Sequence, residues 1–260
     1  MSTSRSFDRA AAYYDQTRPL PEPVAKEGIQ AILDLMRPQA RVLEVGAGTG
    51  RISIPLLERG LDLIGCDLSP KMLSRLREKS ASARIVQADA VQLPFPSASF
   101  EGVITVHVLH LIPSWRDALH ELRRLLVPGG AYLNVTTWAT AGVSPRDQMR
   151  QHWRRWLESQ GVNAYLPGVR SREEFVRGLE AMGARVTEME VVRYSMVYTL
   201  REELDRFRSR IYSDAWDIPD AIFEASMKEL RAWVEREYGS LDEPRQDSLR
   251  FAIDVVRFDP

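Results

Sequence analysis

An apolar run that ends in a glycine-rich turn limits the possible folds of this chain more than any other segment. Residues 42–50 read Val-Leu-Glu-Val-Gly-Ala-Gly-Thr-Gly. The β-branched and leucine side chains suit a buried strand, and alternating glycines allow a tight turn with backbone close to a ligand, directly before a helix-compatible segment, 51–59. This order predicts a nucleotide-binding turn. A nicotinamide site usually shows G-x-G-x-x-G, and Gly50 comes one residue early for that pattern, so the turn alone leaves the cofactor open.

The composition favours a small-molecule partner. The 260 residues suffice for one α/β core with an inserted cap. With a formal net charge of -1, the chain has no overall positive charge that would attract it to nucleic acid or an anionic membrane. Neither nucleic-acid binding nor membrane insertion is therefore expected. The single cysteine, Cys66, excludes a disulfide framework and favours a buried thiol, and the four histidines lack metal-site spacing. A single cysteine agrees with a reducing compartment. No signal peptide or membrane span is evident, so we expect a cytoplasmic protein.

Strand and helix patterns alternate between residues 41 and 137, which is typical of a parallel sheet covered by helices. The predicted strands are 41–45, 61–66, 84–87, 100–106, 131–137, 185–197 and 249–258. The stretch between the last two strands is far longer than a hairpin needs. We interpret it as a helical cap.

Two helix starts are marked by capping signals. Ser69 is a candidate N-cap, and Pro70 occupies the first helical position, where its missing N–H costs nothing. Ser114 with Asp117 three residues on resembles a capping box. It opens a helix that should end at the Pro-Gly-Gly turn of 128–130.

Two acidic residues follow the glycine turn at or near the ends of predicted strands. In a doubly wound sheet, ligands bind outside the carboxyl ends of the strands, so Asp67 and Asp89 should face the crevice beside the glycine turn. Asp67 lies about twenty residues past the glycines, the spacing at which a carboxylate reaches ribose hydroxyls. Asp89 could hold the exocyclic amine of adenine. The alternative for both residues is surface capping or turn chemistry.

Taken with the E-x-G-x-G-x-G pattern of 44–50, the chain resembles the class I S-adenosylmethionine-dependent methyltransferases. It is particularly similar to the small-molecule group around the ubiquinone/menaquinone (type 11) methyltransferases. The matching segments are 42–50, 65–73, 88–90, 93–95, 99–101 and 122–130. The resemblance implies an α/β fold with a Rossmann-like, doubly wound, seven-stranded sheet, its last strand antiparallel, and helical cap insertions. It also implies S-adenosyl-L-methionine as methyl donor and S-adenosyl-L-homocysteine as product.

The resemblance and the pattern together divide the chain into six segments. They are an N-terminal arm and helix covering the cofactor (1–40), a cofactor-binding core (41–138), a cap helix (139–170), a core helix with the sixth strand (171–199), cap helices (200–248) and the last strand (249–260).

The resemblance implies a contact for each part of the cofactor. Backbone at Gly46, Ala47 and Gly48 would approach the methionine part, with Glu44 orienting the turn and the amino group. Asp67 would bind the ribose hydroxyls.

The adenine and the amino group have further implied contacts. Leu68 and Met72 would flank the adenine as apolar walls. Asp89 with the Ala90 N–H would read its amine edge. Backbone at Val106 and His107, where the fourth strand ends, would hold the amino group.

The resemblance also suggests an arm and two candidate bases. Tyr14 and Arg18 resemble an arm folded over the cofactor, where a guanidinium could pair with the methionine carboxylate. His107 and His110 follow the fourth strand, where relatives place residues facing the transferred methyl, and either could remove a proton from an acceptor. The alternative is a packed histidine without a chemical role.

The remaining features leave the acceptor open. Five tryptophans in the cap regions could line an apolar acceptor pocket or pack the cap helices: Trp138, Trp153, Trp156, Trp216 and Trp233. The basic positions Arg150, Arg154 and Arg155 favour a solvated helix face over binding of an acidic acceptor.

The function expected is methyl transfer to a small molecule by a monomer or homodimer. The alternatives are a nicotinamide or flavin oxidoreductase, a nucleic-acid methyltransferase and a non-catalytic binding protein.

Overall fold

The computed structural model describes residues 4–137 and 144–258. Its strands are β1 (Arg41–Val45), β2 (Asp62–Asp67), β3 (Arg84–Gln87), β4 (Phe100–Val106), β5 (Leu126–Thr136), β6 (Ala184–Tyr198) and β7 (Arg245–Phe258). Within the described residues they form one seven-stranded sheet in the order β3-β2-β1-β4-β5-β7-β6. The order reverses between β1 and β4, and this is where a doubly wound sheet opens its ligand crevice.

The direction of the strands confirms the predicted fold class. β1 pairs in parallel with β2 and β4, β2 with β3, and β4 with β5. β7 runs antiparallel to β5, with Val255 opposite Leu133. The prediction of a Rossmann-like α/β sheet with an antiparallel last strand is therefore correct. β5 and β7 begin earlier than expected, at 126 and 245.

Helices connect the strands along the chain. They are α1 (Tyr14–Thr17), α2 (Glu22–Leu35), α3 (Ser53–Glu58), α4 (Pro70–Lys79), α5 (Trp115–Leu125), α6 (Pro145–Ser159), α7 (Arg172–Glu180), α8 (Leu200–Arg208) and α9 (Asp220–Tyr238). None of the described helices is both long enough and apolar enough to cross a bilayer.

One of the two predicted caps is present. The Ser69 hydroxyl accepts the Met72 N–H at 3.1 Å and Pro70 begins α4, as predicted. The capping box predicted at Ser114 is wrong, because the Ser114 side chain makes no capping hydrogen bond. Its ψ of 45° departs from the extended backbone that an N-cap normally adopts.

Capping boxes occur instead at the starts of α6 and α8. Ser144 and Asp147 bond each other's backbone N–H groups, and so do Thr199 and Glu202. Each arrangement satisfies two helix donors that would otherwise lack partners.

The described chain forms two compact units, of which the first comprises the residues within 1–137, 167–192 and 251–260. Its core lies on the sheet, where Leu43, Val103 and Tyr132 are fully buried. The buried thiol predicted at Cys66 is confirmed. Burial raises the pKa of this thiol to about 12, so it stays protonated.

The second unit comprises the described residues within 138–166 and 193–250. Its core is built by α6, α8 and α9, with Trp153, Phe207 and Phe223 fully buried. The Trp153 indole N–H donates to the Ser226 hydroxyl at 2.9 Å. Trp153 is therefore a packing residue, and Trp138 lies outside the described residues.

The solvated basic face expected on α6 is wrong for two of its three arginines. Arg150 and Arg154 both donate to Oδ2 of Asp214, at 2.7 and 2.8 Å. The Asp214 side chain is 1% exposed, and Arg150 also lies over the Tyr212 ring at 4.2 Å. Only Arg155 of the three is exposed. Arg150 and Arg154, whose side chains are 26% and 21% exposed, link α6 to a segment some sixty residues later in the chain.

Candidate active site

The glycine turn that follows β1 has left-handed backbone at each of its glycines. Gly46 has a φ of +78°, and a Cβ built there would lie 2.1 Å from Cγ2 of Val108. The side chain of Val108, in the segment after β4, thus lies so close to the turn that only glycine fits at position 46. A Cβ at Gly50 would lie 2.9 Å from side-chain atoms of Ile54 and Leu76, so the early third glycine allows α3 and α4 to pack on the turn.

Asp67, at the end of β2, is bonded to the glycine turn. Its Oδ2 accepts the Gly48 N–H and its Oδ1 accepts the Ser69 N–H, both at 2.8 Å. Burial raises the pKa of the Asp67 carboxyl, and these hydrogen bonds oppose the shift. The residue predicted to bind the ribose is thus also part of the turn.

Asp89 has one satisfied and one unsatisfied oxygen. Oδ1 accepts from the Ser4 hydroxyl and the Val91 N–H, both at 3.2 Å. Oδ2 is buried and has no hydrogen-bond partner among the described residues. A buried acceptor without a donor costs free energy. An exocyclic amine would satisfy it, so the residue fits the adenine contact expected of it.

One cavity brings together most of the predicted site residues. It is lined by Tyr14, Gly46, Gly48, Asp67, Leu68, Met72, Asp89, Ala90, Val106 and His107. The cavity is also lined by Ser4, Arg5, Phe7 and Val108, none of which the sequence singled out. Arg18, Glu44, Ala47 and His110 are not among its lining residues.

Glu44 lies in β1, two residues before the first glycine of the turn. It is 2% exposed and accepts a hydrogen bond from the Ser53 hydroxyl. Burial raises the pKa of Glu44 to about 8, against the opposing effects of Ser53 and Arg51. The position suits its expected effect on the shape of the turn.

His107 lines the cavity in a backbone conformation that is uncommon for histidine. Its φ is +55°, a left-handed value that usually costs free energy outside glycine. Its Nε2 lies 2.7 Å from the Thr137 hydroxyl. Burial, and then the nearby Arg51, His110 and Arg18, lower the pKa of His107 well below its usual value. The imidazole is therefore neutral at pH 7.

His110 is placed differently. It lies in the 3-10 turn Leu109–Leu111, and its carbonyl accepts the Gly168 N–H at 3.0 Å. A Cβ at Gly168 would be 2.0 Å from the Leu109 carbonyl oxygen. The histidine thus belongs to a tightly packed backbone contact beside the cavity.

The N-terminal arm, residues 4–18, lies against the segments that form the cavity. Asp8 accepts from the Ser69 hydroxyl at 2.5 Å, and Asp15 accepts from the Thr49 hydroxyl at 2.6 Å. Lys79 donates to Asp15 at 2.7 Å. The guanidinium of Arg18 lies 5.5 Å from the Tyr14 ring centre. Asp8 and Asp15 belong to no recognised motif, so their contacts were not predicted from the sequence.

No metal-binding arrangement of three or more His, Cys, Asp or Glu side chains occurs within 4–137 and 144–258.

Comparison with known proteins identifies the family. A methyltransferase domain model matches residues 43–134. Malonyl-[acyl-carrier protein] O-methyltransferase of Halorhodospira halophila is 32% identical over 69% of the chain and 70% of its own length. The chain belongs to the class I S-adenosylmethionine-dependent methyltransferases. The predicted family, enzyme class and methyl donor are thereby confirmed.

One further relative and two solved structures are similar to this methyltransferase. Malonyl-[acyl-carrier protein] O-methyltransferase of Enterobacter lignolyticus is 34% identical over 64% of the chain, and the match spans 63% of that relative. The structure of phosphoethanolamine N-methyltransferase 2 of Haemonchus contortus, with S-adenosylhomocysteine bound, has a TM-score of 0.56 and 17% identity, covering 98% of this chain and 58% of that one. The structure of the YcgJ protein of Bacillus subtilis has a TM-score of 0.61 and 18% identity, and the match covers 90% of this chain and 100% of that one. The last two similarities concern the fold.

Proposed function

We propose that this methyltransferase transfers the methyl group of S-adenosylmethionine to a carboxylate oxygen of a small acyl acceptor. The observation that carries the proposal is the division of charge on the two sides of the glycine turn. Asp67 ends β2 and Asp89 follows β3, and both strands lie on one side of the glycine turn. His107 follows β4 on the other side, within the field of Arg18 and Arg51. A cationic field favours an anionic acceptor.

The acidic side of the cavity is assigned to the nucleoside. Asp67 would hold the ribose hydroxyls, and the buried Oδ2 of Asp89 would accept from the adenine amine beside the Ala90 N–H. Leu68 and Met72 would form the apolar walls. All five residues line the same cavity, which supports their joint assignment.

The methionine part is assigned to the glycine turn and the segment after β4. Gly46, Ala47 and Gly48 would supply backbone, Val106 would hold the amino group, and Glu44 would keep the turn in shape. Tyr14 lines the cavity, and Arg18 lies over its ring. The arm therefore brings a guanidinium near the place where the methionine carboxylate would bind.

The acceptor end follows from the same charges. When bound, S-adenosylmethionine supplies a methyl group that an acceptor oxygen attacks as the S–C bond breaks. A carboxylate acceptor is already ionised, so it has no proton to lose before this attack. His107 is neutral and lines the cavity, which makes it a hydrogen-bonding group for such an acceptor. It acts as a base only if the acceptor carries a proton, and His110 is the second candidate for that role.

The names of the curated relatives suggest the probe. Two of them are malonyl-[acyl-carrier protein] O-methyltransferases, and a malonyl thioester ends in a carboxylate. We place the enzyme in the cytoplasm, as a monomer or homodimer that acts on a small acyl group and on no nucleic acid.

The test is transfer of the labelled methyl of S-adenosylmethionine to malonyl-coenzyme A and to malonyl-[acyl-carrier protein]. Acetyl-coenzyme A is the matched control, because it lacks the carboxylate. We expect a methyl ester and S-adenosylhomocysteine with the malonyl thioesters and background with the acetyl one. Release of S-adenosylhomocysteine at equal rates with both would contradict a carboxylate acceptor, and lack of S-adenosylmethionine binding would overturn the site.

A further inference from the structure

His107 and Thr137 form a hydrogen-bonded pair at the carboxyl ends of neighbouring strands. His107 follows β4 and Thr137 follows β5, which pair in parallel up to Val106 and Val135. The sheet therefore brings together two residues thirty positions apart, with Nε2 and Oγ1 at 2.7 Å. The left-handed backbone of His107 points to a surrounding structure that fixes this position.

The pair has two possible hydrogen-bond directions. A neutral imidazole carries one proton, and the ring nitrogen that holds it is set by the bond made at the other nitrogen. If the hydroxyl accepts from Nε2–H, Nδ1 carries the lone pair and can act as a base. If the hydroxyl donates to Nε2, Nδ1 carries the proton and can act as a donor.

A carboxylate acceptor decides between the two directions. Its oxygens only accept hydrogen bonds, so a neutral histidine beside it must present N–H. We propose that Thr137 is a positioning residue that donates its hydroxyl proton to Nε2 of His107 and so holds the Nδ1–H form of the ring toward the acceptor carboxylate. The inference rests on the proposed function, because that function supplies the carboxylate.

The charged groups around the ring agree with a neutral donor. Arg51 follows the glycine turn, Arg18 follows α1, and His110 lies in the next turn of the chain, and all three disfavour a positive charge on His107. Arg51 is held in place by the bond from its Nη1 to the Arg18 carbonyl at 2.9 Å. The positive charges of the two arginines favour anions here, the acceptor as well as the methionine carboxylate, while the neutral ring orients the acceptor.

The tautomer can be observed directly. In protein labelled with ¹⁵N-histidine, two-bond ¹⁵N–¹H correlations distinguish Nδ1–H from Nε2–H, and the His107→Gln spectrum assigns the signal. We expect Nδ1–H in the wild type at pH 7, and loss of that single form in Thr137→Val. An Nε2–H ring in the wild type, or an unchanged ring in Thr137→Val, would overturn the inference.

Kinetics supply a second measurement. Thr137→Val lacks the hydroxyl that holds the Nδ1–H form. It should lower kcat/KM for malonyl-coenzyme A about tenfold, because His107 then loses its hydrogen bond to the charged acceptor carboxylate. Its affinity for S-adenosylmethionine should stay unchanged, and Thr137→Ser should restore turnover. Thr136→Val, the neighbouring residue in β5, is the matched control.

The two proposals fail in different ways. A wild-type enzyme that transfers no methyl to any malonyl thioester contradicts the proposed function, whereas the wild-type tautomer still decides the role of Thr137. If Thr137→Val does not fold, the wild-type and Thr137→Ser spectra suffice, because each shows which nitrogen carries the proton. Equal kcat/KM in folded Thr137→Val and wild type would overturn the inference.

Discussion

The Asp67 carboxylate accepts the Gly48 N–H at 2.8 Å, which joins the end of β2 to the glycine turn after β1. The same carboxylate is proposed to hold the ribose. Asp67→Asn keeps an acceptor but loses the charge, so it should weaken S-adenosylmethionine binding about tenfold, because hydrogen bonds to charged groups contribute roughly 1.5–3 kcal/mol.

Isothermal titration calorimetry measures this loss. Asp62→Asn is the control, since Asp62 lies at the other end of β2 and pairs with Arg84 at the surface. Its dissociation constant should match the wild type. Equal affinity in both variants would remove Asp67 from the cofactor site.

Gly46 and Gly48 provide a matched pair for testing the glycine turn. Both have positive φ, yet a Cβ at Gly46 would be 2.1 Å from Val108 while the nearest atom at Gly48 would be 4.0 Å away. Alanine at either position should lower the free energy of unfolding by roughly 1–2 kcal/mol, because its Cβ disfavours left-handed backbone. Only Gly46→Ala adds a steric clash, which typically costs about 1–3 kcal/mol.

Denaturant unfolding should therefore rank Gly46→Ala below Gly48→Ala in stability. The second substitution Val108→Ala removes the colliding methyl group and should recover part of the loss in Gly46→Ala. If the two single variants were equally stable, the close approach of Val108 would not be what requires glycine at 46.

The pKa of Glu44, raised to about 8 from 4.5 by burial, predicts a pH dependence of stability. Between these values the folded protein holds a proton that the unfolded chain releases, so the free energy of unfolding falls as pH rises from about 4.5 to 8. Glu44→Gln cannot titrate. From pH 5 to 8 the free energy of unfolding should fall further in the wild type than in this variant. The difference should exceed about 1.4 kcal/mol, the equivalent of one pKa unit.

Urea denaturation at several pH values measures the difference. Glu58→Gln, an exposed substitution at the end of α3, should follow the wild-type curve. Parallel curves for the wild type and Glu44→Gln would show that Glu44 is ionised in the folded protein.

The parallel part of the sheet was predictable because buried parallel strands are short, continuous apolar runs. β1, β3 and β4 begin and end where the sequence indicates, and β2 differs by one residue. Asp67 and Asp89 were predictable for a related reason. The ends of such strands meet at one edge, and a polar side chain there faces the crevice.

The contacts missed by the sequence are those with a distant partner. The bond between His107 and Thr137 requires β4 and β5 to be adjacent, and nothing near either residue indicates it. Arginines four residues apart on a helix have the same local pattern whether they face solvent or a buried carboxylate. Arg150 and Arg154 are the second case because Asp214, far along the chain, lies between them.

Asp214 is the counter-charge for both of these arginines within the second unit. Burial alone would raise the pKa of Asp214, but the charges and hydrogen bonds of Arg150 and Arg154 outweigh it and hold the pKa below its usual value. Removing one partner of a buried ion pair typically costs about 3–5 kcal/mol, because the remaining charge has no compensation. Since Arg150 and Arg154 are still 26% and 21% exposed to water, Asp214→Asn should destabilise the second unit by an amount near the lower end of this range.

The matched control is Asp242→Asn, which removes an exposed carboxylate that pairs with Arg201 at 2.6 Å. Exposed pairs are screened by water, so this variant should unfold close to the wild type. Hydrogen exchange resolves the effect by region, and amides of α6, α8 and α9 should lose protection in Asp214→Asn. The stabilising contribution of Asp214 should also disappear as pH falls through its lowered pKa. Equal unfolding of the two variants would mean that Asp214 does not hold α6 in place.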